Sequence, residues 1–188
     1  MKNKKVLIFD FFGVICSEIA PFWLERYFTA EESVAVKADI VGKADVGDIS
    51  ESEMFECLAA ATGTTAQEAL NGWLELAVID KNIIPVIEDL RTKHRVVLLS
   101  NAPAEFLHRL LAKHDLYKYF EHIVISSDVK TAKPGTEIYN IMLQRLGETA
   151  DNCVMIDDNP KNIEGAKNAG IDGWIYTDLK SFTEQFQA

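Results

Sequence analysis

Four short polar segments follow apolar runs of this chain, and together they could perform chemistry. The first is Asp10, which ends the apolar run that starts at Val6. The other three are Ser100-Asn101, Lys133-Pro134 and Asp157-Asp158. Carboxylates brought within a few ångströms repel one another unless cations compensate their charge, and Lys133 supplies only one positive charge. A divalent cation is therefore expected, and Mg²⁺ fits best, held by carboxylates, a backbone carbonyl, water and a substrate phosphate.

A parallel sheet is the element that would bring these segments together. Runs rich in β-branched and aromatic residues predict strands at 5–10, 95–100, 122–126, 153–157 and 174–176. Their near-continuous apolarity is typical of strands buried on both faces. Helix-like stretches separate the last four, at 104–114, 136–146 and 159–169. The sequence therefore predicts a doubly wound α/β fold, in which the carboxyl ends of the strands form a crevice for ligands.

The segment after the first predicted strand has a different pattern. From Cys16 to about Asp80 it has no strand-like run and is typical of several amphipathic helices. We expect breaks between these helices at Gly42, Gly47, Gly63 and Asn71. The predicted organisation is an α/β core formed by 1–16 and 82–188, with a small α-helical cap inserted at 17–81.

Composition limits the partners and the location of the protein. The chain carries 19 basic and 29 acidic residues, a formal charge of −10, which argues against nucleic acid or an anionic membrane surface as the main partner. No apolar run approaches the roughly 20 residues that span a bilayer, and the charged start leads directly into a strand, so a cytoplasmic location is expected. The three cysteines are predicted to be reduced core residues. The oligomeric state stays open.

The four segments, in this order, resemble the motifs of the haloacid dehalogenase-like hydrolases. The resemblance spans essentially the whole predicted core, and the helical insertion resembles the cap of that family. It implies that Asp10 is a nucleophile that forms an acyl-phosphate intermediate, which water then hydrolyses. It also implies that Ser100, Asn101 and Lys133 bind the phosphoryl group, with Ser100 and Lys133 counted among the catalytic residues.

The resemblance also implies a set of metal ligands. Mg²⁺ would be bound by the carboxylates of Asp10 and Asp158 and by the backbone carbonyl of Phe12. Asp157 is expected behind these ligands, where it would orient a metal-bound water or Lys133. The function that follows is a Mg²⁺-dependent phosphatase acting on a small phosphorylated metabolite, with a sugar phosphate as one candidate.

Phe12 departs from the pattern of many phosphatases of this family. Those enzymes carry a second Asp two residues after the nucleophile, which protonates the leaving group, and such help is typically worth about 10²- to 10⁴-fold in rate. Some sugar-phosphate phosphatases of the family also lack this Asp. A good leaving group, or an acid from the cap, would compensate. Asp45, Asp48 and Glu51 are the candidates in the cap, and a solvated loop is the alternative interpretation of these three residues.

Two other functions remain open at this point. The family's 2-haloacid dehalogenases also lack the second Asp and need no metal, but they use an arginine of the cap, and this chain has none between Arg26 and Arg91. The third hypothesis is a phosphate- or metal-binding regulatory protein with weakened catalysis, because the change at Phe12 would impair proton transfer before binding.

Overall fold

The fold is an α/β sandwich around one parallel sheet. The structure is a computed structural model that describes residues 4–187, and the side chains of 4–184. The five strands are β1 (Val6–Phe9), β2 (Arg95–Ser100), β3 (Ile123–Ile125), β4 (Cys153–Asp157) and β5 (Asp172–Ile175). They pair in the order β3-β2-β1-β4-β5, and all pairs are parallel. The predicted doubly wound α/β fold is confirmed.

Helices cover both faces of the sheet. After β1 come five helices, α1 (Ala20–Leu24), α2 (Ala30–Val36), α3 (Gly42–Asp45), α4 (Glu51–Thr62) and α5 (Ala66–Leu76). The later ones are α6 (Ile83–Leu90), α7 (Ala104–Lys113), α8 (Ser126–Val129), α9 (Thr136–Leu146), α10 (Pro160–Asn168) and α11 (Leu179–Gln187). Side chains of α9 and α10 pack on one face of the sheet, and those of α6 and α7 pack on the other.

We call the helices α1 to α5 the insert, and three of them, α2, α4 and α5, begin where the sequence provides caps. Thr29, Ser50 and Thr65 each precede a helix and accept a hydrogen bond from the backbone N–H three residues later. The glutamate at each of those later positions bonds back to the capping residue, which completes a capping box. The division into a core (1–16 and 82–188) and a cap (17–81) stays a prediction, and its residues 1–3 and 188 lie outside the described ones.

Two of the four predicted breaks in the insert are wrong. Gly47 and Gly63 have positive φ angles and do end helical segments. Gly42, however, starts α3 directly after a π-helical turn, Lys37–Val41, so that the chain stays helical from α2 to α3. Asn71 lies inside α5. A glycine within a helix costs only about 1 kcal/mol relative to alanine, which tertiary packing readily offsets.

Two expectations about burial are also wrong. β5 is an edge strand, and Ile175, which lies in the predicted strand 174–176, is exposed instead of buried. Cys57 is exposed, while Cys16 and Cys153 are buried, and all three are free thiols. Cys57 lies off the apolar stripe with which α4 contacts the core, so its apolar neighbours in sequence do not predict its burial. No helix within the described part of the chain is long and apolar enough to cross a membrane.

Candidate active site

The carboxylates that the sequence singled out meet where the strand order of the sheet reverses. Asp10 follows β1 directly, Asp157 ends β4, and these two strands are neighbours. Open parallel sheets bind ligands at the carboxyl ends of the strands beside such a reversal. One oxygen from each of Asp10, Asp157 and Asp158 lies within 4.8 Å of the others. The fold therefore concentrates negative charge at its expected ligand site.

Lys133 lies between two of these carboxylates. Its Nζ is 2.8 Å from Oδ2 of Asp10 and 2.6 Å from Oδ2 of Asp157, and its side chain is fully buried. Burial disfavours the charged lysine, but the two carboxylates outweigh burial and raise the pKa of Lys133. Burial also raises the pKa of Asp10 well above its ordinary value, and Asp157 adds to the rise although Lys133 opposes it. One lysine thus leaves the carboxylates only partly compensated.

Asp157 is the most firmly held of the three carboxylates. Besides Lys133, it accepts hydrogen bonds from the backbone N–H of Asn159 at 2.9 Å and from the side-chain amide of Asn162 at 3.0 Å. Asn162 was missed by the sequence analysis, although a buried asparagine on the inner face of a helix is an unusual feature that could have identified it. These contacts hold Asp157 beside Lys133, and its predicted role behind the metal ligands stays a prediction.

The turn after β1 lies close against Asp158. Gly13 has a φ of +78°, and a Cβ at this position would overlap the Asp158 carboxylate. Burial, followed by the charge of Asp157, raises the pKa of Asp158. The ring of Phe12 stacks on Phe106 at 6.5 Å and forms part of the cavity wall. Phe12 therefore presents an apolar ring to the cavity, at the position where the sequence lacks a proton-donating side chain.

Asn101 and Ser100 lie at the end of β2, beside β1. The Asn101 side chain donates to the carbonyl of Lys133 at 2.8 Å and accepts from its N–H at 2.9 Å, so it fixes the backbone that carries the lysine. Ser100 is fully buried, and its hydroxyl has no hydrogen-bond partner among the described residues. Leaving a buried hydroxyl unpaired costs about 1–3 kcal/mol. The phosphoryl-binding roles of Ser100, Asn101 and Lys133 stay predictions.

The insert forms the opposite wall of the same cavity, which has a volume of about 250 Å³. Its polar residues there are Glu18, just before α1, Lys37 in the π-helical turn, and Asp45 at the end of α3. Burial raises the pKa of Glu18. Burial also raises the pKa of Asp45 to about 7, with Lys37 opposing and Glu18 assisting this shift. This wall therefore holds two carboxyl groups whose pKa values burial raises.

The three acids considered as substitutes for the absent proton donor lie in different places. Asp45 lines the cavity that contains Asp10. Asp48 and Glu51 line a separate groove, where Glu51 forms an ion pair of 2.8 Å with Arg109 of α7. Glu18, in contrast, was missed by the sequence analysis, because packing decides which side chain of the irregular segment before α1 faces the cavity.

Comparisons with known proteins extend this description. A family model for haloacid dehalogenase-like hydrolases matches residues 4–170. A phosphorylated carbohydrates phosphatase from Thermotoga maritima is 26% identical over an alignment 179 residues long, which covers 89% of this chain and 82% of that protein.

Solved structures give the same fold. A HAD family enzyme from Bacteroides thetaiotaomicron superposes with a TM-score of 0.83 at 22% identity and covers 98% of both chains. That enzyme is also known in complex with magnesium and inorganic phosphate. A 2-haloacid dehalogenase from Pseudomonas syringae has a TM-score of 0.63 at 18% identity and covers 92% of this chain and 86% of its own. By the family match over most of its length, this chain belongs to the haloacid dehalogenase-like hydrolases.

Proposed function

We propose that the protein is a Mg²⁺-dependent phosphatase that hydrolyses small phosphomonoesters by attack of Asp10 on phosphorus. The observation that carries the proposal is the group of three carboxylates around one buried lysine at the reversal of strand order. A site of this kind binds cations and, through them, phosphoryl groups.

The surroundings of Asp10 suit a nucleophile. Its Oδ1 accepts a hydrogen bond of 2.7 Å from the backbone N–H of Phe11, and its Oδ2 contacts Lys133 at 2.8 Å. These contacts fix the carboxylate at the mouth of the sheet, where only 7% of the residue is exposed. An oriented, dehydrated carboxylate can form the acyl phosphate that defines covalent catalysis by an aspartate.

The donor set fits Mg²⁺. Asp10 and Asp158, with the backbone carbonyl of Phe12, are proposed to hold the ion, and Asp157 to act behind them by fixing Lys133. When bound, Mg²⁺ would supply the positive charge that the carboxylates and a phosphoryl group require. The raised pKa values of Asp10 and Asp158, both caused mainly by burial, indicate the same unmet demand for a cation.

The phosphoryl group would be bound by residues of the core wall. The buried Ser100 hydroxyl is free to donate a hydrogen bond, and Lys133 offers positive charge beside the nucleophile. A phosphoryl oxygen at this place would satisfy the serine and thus remove the cost of an unpaired buried group. Asn101, whose amide is engaged with the Lys133 backbone, is proposed to support this geometry.

The relatives and the size of the cavity support a substrate class. A volume of about 250 Å³ suits a small metabolite better than a polymer. The similarity to a phosphatase of phosphorylated carbohydrates supports a phosphorylated metabolite of that kind, with a sugar phosphate as the first candidate.

The direct test is a panel of phosphorylated metabolites assayed for phosphate release with Mg²⁺ and again with EDTA. We expect release that depends on the metal for at least one sugar phosphate. Activity that is unchanged in EDTA, or no release across the panel, would contradict the proposal. Metal-independent halide release from 2-haloacids would instead identify a dehalogenase, and Mg²⁺ affinity without either reaction would identify a binding protein.

A further inference from the structure

Asp45 is tied to the loop that carries the proposed phosphoryl-binding residues. The hydroxyl of Ser126, at the start of α8, donates a hydrogen bond to the backbone carbonyl of Asp45. The same hydroxyl accepts a hydrogen bond of 2.9 Å from the N–H of Ala102, which follows Ser100 and Asn101. One buried core residue thus connects the insert to the end of β2, beside the proposed nucleophile.

A second contact holds the turn that follows Asp45. Lys130 donates a hydrogen bond from Nζ to the carbonyl of Gly47. Gly47 has a φ of +68°, and a Cβ there would overlap Lys130 Nζ and lie 2.7 Å from the carbonyl of Ser127. Only glycine allows this approach. Two contacts with the core, at Asp45 and at Gly47, therefore place Asp45, although it belongs to the insert.

The Asp45 side chain itself is left unpaired. In the part of the chain that the structure describes, its carboxylate accepts no hydrogen bond and forms no ion pair, yet it is half-buried in the cavity wall. Asp45 is the last residue of α3, where the helix dipole disfavours a negative charge.

Charged groups around Asp45 act in both directions. Glu18, before α1, disfavours the ionised carboxyl group, whereas Lys37 of the π-helical turn and Lys133 of the core favour it. Burial is the largest influence, and the resulting pKa of about 7 makes both the acid and its conjugate base available near neutral pH. Lys130, which contacts the turn after Asp45, is engaged with the Gly47 carbonyl.

We propose that Asp45 is the general acid and base of this site, in the role that the side chain of Phe12 cannot perform. The assignment rests on the proposed phosphatase function. Asp45 lines the cavity that contains Asp10, on the wall opposite the core, toward which the leaving group of an in-line displacement departs.

The proposed reaction has two balanced steps. In the first, an Asp10 oxygen bonds to phosphorus while the bond from phosphorus to the ester oxygen breaks, and that oxygen takes the proton of Asp45. In the second, the Asp45 carboxylate takes a proton from water as the water oxygen bonds to phosphorus. The bond between phosphorus and Asp10 then breaks, which releases phosphate and returns both aspartates to their starting forms.

The test compares two leaving groups in wild type and Asp45→Asn. One substrate is the best alkyl phosphomonoester of the metabolite panel, and the other is p-nitrophenyl phosphate, whose phenolate leaves without a proton. We expect Asp45→Asn to lower kcat/KM for the alkyl ester by about 10²- to 10⁴-fold and to change that for p-nitrophenyl phosphate only a few-fold. The decline of alkyl-ester kcat/KM above pH about 7 is expected to disappear in the variant.

Two matched variants and the wild type separate the outcomes. Asp48→Asn removes an exposed carboxylate outside this cavity and is expected to behave as wild type. An equal loss on both substrates in Asp45→Asn, no loss, or a selective loss in Glu18→Gln instead, would overturn the assignment while leaving the phosphatase proposal intact. A wild type that hydrolyses neither ester would overturn both.

Discussion

The two walls of the cavity differ in how their charged groups are paired. On the core wall, Asp157 accepts hydrogen bonds from Lys133, Asn159 and Asn162, and every polar atom of its side chain has a partner. On the insert wall, Glu18 and Asp45 accept no hydrogen bond from any described residue. The core wall holds the charges of Asp10, Lys133 and Asp157 in place, whereas the insert wall keeps carboxyl groups available for a ligand or a proton.

This difference indicates that the two walls have different roles. A paired and buried network rigidifies a site and fixes geometry, which is what attack on phosphorus requires. Unpaired carboxyl groups reduce stability, and proteins retain such groups where a reaction needs them. The following variants test each half of this comparison, in order of decreasing expected effect.

Lys133→Met should be the most damaging change on the core wall. It removes the cation between Asp10 and Asp157 and leaves two buried carboxylates without their charge partner. Breaking a buried ion pair in this way costs about 3–5 kcal/mol. We expect a loss of that size in the free energy of unfolding, measured by urea denaturation, together with loss of phosphatase activity. Lys93→Met, which removes an exposed ion pair, is the control. Equal stability of the two variants would contradict the claim that Lys133 holds the charges of the core wall in place.

Gly13→Ala should separate backbone strain from damage to the site. Gly13 and Gly63 both have positive φ angles, so alanine at either costs about 1–2 kcal/mol. Only at Gly13 would the new Cβ overlap Asp158, whereas at Gly63 it meets no atom within 4 Å.

The measurement is the Mg²⁺ concentration that gives half-maximal activity, together with thermal unfolding. We expect Gly13→Ala to raise that concentration by about tenfold or more. A change in a residue that positions a metal ligand typically lowers metal affinity about 10- to 100-fold. Gly63→Ala should lose stability alone. Unchanged Mg²⁺ dependence in Gly13→Ala would argue against Asp158 as a ligand.

Arg109→Ala tests the attachment of the insert to the core. Arg109 of α7 pairs with Glu51 of α4, whose side chain is only 6% exposed. Removing the arginine leaves a buried carboxylate unpaired, which costs about 1–3 kcal/mol. Arg145→Ala, which removes an exposed arginine of α9, is the control and should stay within about 0.5 kcal/mol of wild type in urea denaturation. Equal effects of the two changes would show that the pair contributes nothing.

Asp45→Asn should give the smallest effect on stability, with the opposite sign. Because the pKa of Asp45 is raised to about 7 in the folded protein, its protonated form stabilises the fold. That stabilisation is complete below pH about 4 and is lost as the pH rises through about 7. At pH 8 the Asp45→Asn variant should therefore be more stable than the wild type by about 1 kcal/mol. The gain is no larger because water reaches part of the residue and screens its charge. The gain should shrink toward pH 4, and a gain independent of pH would contradict the raised pKa.

The core wall could be predicted from the sequence, whereas most of the insert wall could not. Asp10 and Asp157 lie at strand ends, and parallel strands direct their carboxyl ends to one edge whatever the details of packing. Asp45 was one of three equivalent acids in sequence, because only the packing of α3 against α8 determines which one faces the cavity. Gly42 and Cys57 were misjudged for the same reason, since tertiary contacts decide whether a glycine interrupts a helix and which face is buried.

The most direct test of the account is phosphate release by wild type and Asp10→Asn, measured at saturating Mg²⁺ on the best substrate of the panel. The amide keeps the shape of the side chain but is not a nucleophile, so we predict a loss of roughly 10³-fold or more with a folded protein. Thermal unfolding confirms the fold of the variant. Phosphate release by Asp10→Asn at a rate near that of wild type would contradict the central claim that Asp10 attacks phosphorus.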